Sequence, residues 1–231
     1  MLKNKRYYLL FILLLFFTYC KYYIKSELKV TDLYQLLSKN FTGSKSIDSE
    51  IKFETTNLEK CNEDKEGLEK ILSEHFNNLK NLECKKDSET SYLYAQFQLP
   101  MVKLINGQYE VVDSLFNLTV NMNKTIRVGL YLDKEEFNQL NKALSEKYSQ
   151  ILNLDNLSLN FSLINDSKKD INLKLYSIYS EEKAYPKSSI TTLTAGSKFD
   201  FALSNILKDY ILQESFGEFL IIEKIKVKEK D

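Results

Sequence analysis

Strict alternation of apolar and polar residues recurs along this chain and commits much of it to half-buried strands. Tyr22, Ile24, Ser26, Leu28 and Val30 fall on one side of the first such segment, and Leu157–Ile164 and Ile171–Ile178 repeat the pattern. The polar stretch Asn165 to Asp170 between the last two reads as the loop of a longer hairpin. Asn106-Gly107 reads as a tight two-residue hairpin turn, because both residues accept positive φ. Further strands are expected at 49–55, 82–86, 92–99, 115–121, 125–132 and 218–227, with weaker signals at 188–194 and 198–201.

Helical spacing breaks this rhythm in three places. Leu68, Ile71, Leu72, Phe76 and Leu79 share a helical face, with Asn62 or Asp64 available as the cap. Asp133 caps the longest expected helix, through Phe137, Leu140, Leu144 and Tyr148, with Glu136 placed as in a capping box. Ser204 caps a last helix through Ile206, Leu207, Tyr210 and Ile211, which Gly217 stops. A short helix is also expected after Thr31 or Asp32. The fold class expected is α+β: antiparallel β-hairpins with three substantial helices packed on the sheet. A division near Ile105 gives a strand–helix–strand unit over 20–105 and an antiparallel sheet with two helices over 106–231. One continuous domain is the alternative.

Residues 1–19 read as a signal of the lipoprotein type. Lys3, Lys5 and Arg6 precede the uncharged run Tyr7 to Phe17, and Cys20 follows at its exit. As a helix, Tyr7 to Cys20 spans ~21 Å at ~1.5 Å per residue, short of a ~30 Å hydrocarbon core. Cys20 stands where a bacterial lipoprotein carries its lipidated cysteine, with fatty acyl chains such as palmitate as the membrane anchor. Tyr19 is bulky for the position before that cysteine, so an uncleaved anchor and an ordinary cleaved signal stay open. All three readings place residues 21–231 outside the cytoplasm, in the periplasm or at the cell surface.

Composition excludes several function classes. Basic and acidic residues balance at 32 each, which argues against a nucleic-acid binder. Six glycines form neither G-x-G-x-x-G nor G-x-x-x-x-G-K, so no phosphate-cradling loop is present. A single His leaves little for a metal site or a catalytic triad. His75 reads as an ordinary surface or boundary residue, and Asp133, Glu135 and Glu136 as charges that favour a helix N-terminus. No catalytic residue, metal or cofactor is expected. A carboxylate-only hydrolase is the one enzyme class that the pattern leaves open. Tyr22, Tyr23 and Tyr34 suit a membrane interface, and Tyr176, Tyr179 and Tyr185 an adhesive surface, although half-buried strand positions explain all six. Lys224 to Lys230 alternates charge with apolar residues, as an edge strand does.

With Cys20 lipidated, Cys61 and Cys84 are the two cysteines left. In an oxidising compartment that count allows one disulfide, across a loop whose closure stabilises by roughly 3 kcal/mol. Two buried free thiols are the alternative.

Cys20-Lys21-Tyr22-Tyr23-Ile24-Lys25-Ser26-Glu27-Leu28, followed by Asp32-Leu33, resembles the mature start of a family of uncharacterised bacterial lipoproteins. The resemblance continues through Cys61, the helix, Cys84, Ser91 to Phe97 and Leu99-Pro100, covering about residues 20–105. Similar proteins occur in prophages and other mobile elements, and the family is a domain of unknown function. The resemblance implies a membrane-anchored envelope protein with an interaction or structural role and an envelope protein or lipid as partner. A lipid or hydrophobic-ligand binder and a mobile-element surface interference protein are the alternatives.

Overall fold

Alternation in the first segment sets the frame of the molecule. Tyr22, Ile24, Ser26 and Leu28 are buried and the residues between them exposed along β1 (Tyr22–Lys29), as the sequence predicts. The computed structural model describes residues 21–223 apart from 39, 89, 106–107, 110–111, 149–151, 181–182 and 187–188. After β1 come α1 (Val30–Leu36), β2 (Lys45–Thr55), α2 (Leu58–His75), β3 (Lys80–Asp87), β4 (Thr90–Ile105) and β5 (Gln108–Tyr109). Then follow β6 (Phe116–Met122), β7 (Ile126–Leu132), α3 (Lys134–Tyr148), β8 (Leu157–Ile164) and β9 (Ile171–Leu175). The chain ends with β10 (Ile178–Ser180), β11 (Lys183–Tyr185), β12 (Ser189–Leu193), β13 (Lys198–Leu203), α4 (Asn205–Glu214) and β14 (Phe216–Glu223). Residues 1–20 and 224–231, which hold the expected signal, Cys20 and the lysine-rich end, lie outside the described residues.

The strands join in the order β11-β10-β13-β8-β1-β2-β4-β6-β7-β14-β9-β12, with β3 and β5 also paired to β4. This path of twelve strands curls into a nearly closed, barrel-like sheet. Its two ends of the core meet in a stack of phenylalanines. Phe219 of β14 lies 5.1 Å from Phe161 of β8 and 5.7 Å from Phe201 of β13, centroid to centroid. Such pairs add about 0.5–1.5 kcal/mol each beyond simple burial.

The expected α+β class is therefore corrected. Half of the structure is strand and 27% helical, in four short helices, and the main core lies between faces of one curled sheet. The expected helix positions were close, but the helices fill in around the sheet and do not form a layer on it. The antiparallel expectation also fails at two places, because β1 runs parallel to β8 and β4 parallel to β6. Both pairings join strands from either side of residue 105 into one sheet. The hairpin expected across Asn165 to Asp170 is overturned as well. β8 pairs with β1 and β13, whereas β9 pairs with β12 and β14. Both strands are where alternation puts them; alternation carries no information about partners. At the other expected hairpin, Ile105 stands opposite Gln108 in the β4–β5 pair, while the Asn106-Gly107 turn lies outside the described residues.

Helix boundaries show what local chemistry decides. Ser204 caps α4 as expected, accepting a hydrogen bond from the Leu207 amide. Asp133 caps α3, its Oδ1 accepting from the amides of Glu135 and Glu136. The cap of α2 is Asn57, which accepts from the Lys60 amide at 2.7 Å, so this helix starts before Cys61 and is longer than α3. α1 starts at Val30 with no side-chain cap. α4 stops at Glu214, where Ser215 takes a left-handed φ of 66°, and Gly217 instead lies within β14. A Cβ on Gly217 would come within 2.8 Å of Leu207 and Ile211, so the glycine sets how closely α4 sits on β14.

Candidate binding site

The inner face of β2, β3 and β4 is closed by α2, and a disulfide at one end and a side-chain hydrogen bond at the other fix that helix. Cys61 of α2 and Cys84 of β3 form a disulfide with 5.9 Å between Cα atoms. At the other end of α2, Nδ1 of His75 lies 2.6 Å from Oε2 of Glu136 on α3. The surface reading of His75 is thus corrected: its side chain is 4% exposed. Glu136 turns toward this histidine instead of back to Asp133, whose amide donates to Leu115 O. Among the described residues, no three His, Cys, Asp or Glu gather as a metal site.

The outer face of the same strands is open and polar. A groove of about 660 Å³ lies over β1, β2 and β4, lined by residues that include Tyr23, Lys25, Glu50, Lys52, Tyr92 and Asn160. Smaller hollows continue it toward β3 and toward β10 and β13, and Lys25 lines all three. Together they form a trough over the central part of the sheet.

Strand register gives the trough an axis. Gln96 stands opposite Lys80 on one side and Glu50 on the other. Glu50 faces Lys25, Lys25 faces Asn160, Asn160 faces Ala202, and Ala202 faces Tyr179. This transverse row crosses seven strands, about 29 Å at ~4.8 Å per strand spacing. A second row places Tyr23 opposite Lys52 and Lys52 opposite Tyr94.

Charges on this face are largely matched within it. The Lys52 ammonium lies 4.8 Å from the centre of the Tyr92 ring, and that of Lys85 4.2 Å from the centre of Tyr94. Glu54 accepts a hydrogen bond from the Lys21 amide at 3.0 Å. Lys198 pairs with Asp200 at 3.2 Å. Burial alone would raise the Asp200 carboxyl, but the hydroxyl of Ser162 and the ammonium of Lys198 hold its pKa below the ordinary value. Burial raises the Tyr94 phenol, with a further push from its hydrogen bond to Glu50. Tyr23, 38% exposed, and Tyr179, 48% exposed, present their rings to solvent. The amides of the row are engaged, Gln96 accepting from Asn81 and donating to Tyr94, and Asn160 donating to the carbonyls of Ile24 and Ser158.

Of the tyrosines singled out in the sequence, Tyr23, Tyr34 and Tyr179 are exposed, whereas Tyr22 is buried edge-on against Phe53 at 4.7 Å. Lys25, Glu50, Lys52 and Asn160 carried no signal of their own. Only the strand order brings them together. Lys208 was missed too, although its place in the α4 stripe between Leu207 and Ile211 was visible. It is buried, and its ammonium donates at 2.6 Å to the carbonyls of Leu154 and Leu157.

No curated protein matches the chain, and neither does any solved structure. One family model does, over residues 23–229, which extends well past the stretch to residue 105 that carried the sequence resemblance. That span takes in every strand from β2 to β14 and the disulfide-bound helix, and by it the chain belongs to DUF7424, a domain of unknown function.

Proposed function

We propose that this chain is an interaction protein of the bacterial cell envelope, tethered through lipid on Cys20, and that the outer trough is where it meets its partner. The carrying observation is the 660 Å³ groove, open to solvent and floored by polar side chains in the middle of a sheet. Its volume lies within the range of roughly 300–1,000 Å³ in which ligand sites fall. The basic n-region, the uncharged run and Cys20 support the tether. A lipid binder would need an apolar cavity of roughly 300 Å³ or more. The three hollows described instead lie on the polar face, and Phe161, Phe201 and Phe219 fill the space between the sheet faces.

Site-directed photo-crosslinking in the protein's own cells tests this. A photoreactive residue at Lys25 is expected to give a discrete adduct that Tyr23→Ala abolishes, and one at Ile190, on β12, is expected to give none. Adducts only from Ile190, or a Lys25 adduct that ignores Tyr23→Ala, would overturn the trough. Cys20→Ala is expected to remove acyl label and release the protein from the membrane fraction; persistent label would overturn the tether.

A further inference from the structure

We infer that the trough takes a neutral glycan chain, laid across the strands along the row from Lys80 to Tyr179. This rests on the trough being the partner site. Length is the first argument, because a row of about 29 Å suits an extended polymer and not a single small molecule.

The chemistry of the floor is the second. Along the row the order is Lys80, Gln96, Glu50, Lys25 and Asn160, so the two lysines are separated by a neutral amide and a carboxylate. Elsewhere on the face Lys52 sits over Tyr92, Lys85 over Tyr94, and Lys198 beside Asp200. No block of one sign is left to draw a charged polymer such as a nucleic acid. Carboxylates and ammonium groups interspersed at strand spacing offer acceptors and donors to a ligand rich in hydroxyls. Tyr23 and Tyr179 stand exposed on this face, where a ring can cover the apolar side of a sugar.

Sheet topology supplies the third argument, against a peptide. β1, β2, β4, β8, β10 and β13 are paired on both sides, so apart from β3 at one end, which among the described residues pairs with β4 alone, the row has no edge to which a peptide strand could add. Over those six strands recognition must come through side chains of the face. The exposed side chains there are mainly polar or tyrosine, and the phenylalanines that border the hollow by β13, Phe161 and Phe201, are buried.

The test uses the full chain in detergent micelles against linear neutral hexasaccharides of glucose, mannose, galactose and N-acetylglucosamine, with their disaccharides, and a panel of decapeptides. At least one hexasaccharide is expected to bind, and its disaccharide about tenfold more weakly or not at all. Tyr23→Ala and Tyr179→Ala are each expected to weaken the hexasaccharide about tenfold while the far-ultraviolet spectrum is retained. Binding of decapeptides in place of every sugar overturns the glycan. So does sugar binding that neither tyrosine variant alters. If the Lys25 photo-adduct still depends on Tyr23 while no sugar binds, the glycan falls and the trough reading stands; if neither depends on Tyr23, both fall.

Discussion

His75 on α2 and Glu136 on α3 share a 2.6 Å hydrogen bond at a site where the histidine is almost wholly enclosed. The bond joins the helix that closes the inner face of β2–β4 to the helix that follows β7. Removing one partner leaves the other short of a bond in a dry setting, which costs about 1–3 kcal/mol. His75→Ala and Glu136→Ala are each expected to lower the unfolding free energy measured in urea by that amount, and the double variant by less than the sum. Additive losses would show that the two side chains do not act as a pair. Because His75 faces away from the trough, photo-adducts at Lys25 should survive its loss.

The disulfide closes a loop with a sequence separation of 23. Chain entropy puts its contribution at roughly 3 kcal/mol. Urea unfolding with and without reductant should differ by that amount, and Cys61→Ser with Cys84→Ser should reproduce the reduced curve. Coincident curves would mean that α2 is held by packing alone.

Lys208 makes stability depend on alkaline pH. Burial lowers the pKa of its ammonium in the folded state, with partial compensation from the nearby charges of Asp155 and Asp209. Between that depressed value and the unfolded value near ~10.4, the unfolded chain holds a proton that the folded chain has shed. Its stabilising contribution is therefore complete above the unfolded pKa and is lost as pH falls through the folded one. Relative to Lys208→Met, the wild type should gain stability as pH rises through this window. Parallel stability–pH curves would refute the assignment.

Gly129 sits where β7 and β14 come closest. A Cβ there would lie 2.6 Å from the Phe216 ring and 2.8 Å from the carbonyl oxygen of Gly217. Backbone cannot give way as a side-chain end can, so Gly129→Ala should cost about 1–3 kcal/mol. Gly67→Ala is the control, because its new carbon meets only the ends of the Tyr148 and Lys147 side chains. Equal effects at both positions, read from thermal midpoints, would refute the close approach.

Local signals in the sequence located elements well and their partners poorly. β1, β8 and α4 follow from alternation and from the Ser204 cap, each written within a dozen residues. The parallel union of β1 with β8 is decided by which faces fill the core, and no local pattern encodes it. The trough fails to show in the sequence for the same reason. Lys25, Glu50 and Asn160 are ordinary exposed strand residues until the strand order lines them up. His75 was misread because its partner lies 61 residues away. The disulfide was legible on the expectation that Cys20 carries lipid, which leaves Cys61 and Cys84 one pairing.

The pairing of β14 with β7 slips between Glu218 and Leu220, so that Phe219 and Leu220 are adjacent and both wholly buried. Up to Phe219 the inward residues of β14 are odd-numbered; from Leu220 they are even-numbered. The slip therefore works as a reading-frame change within a strand. Deleting the extra residue at the slip would restore alternation and leave both halves facing inward, whereas deleting one residue on either side of it would turn a core residue outward. The slip is thus the one place in the strand where a change of length is neutral to the facing of its side chains. Natural length variation in this family should accordingly fall in the loops or at this slip and be absent from the rest of β14.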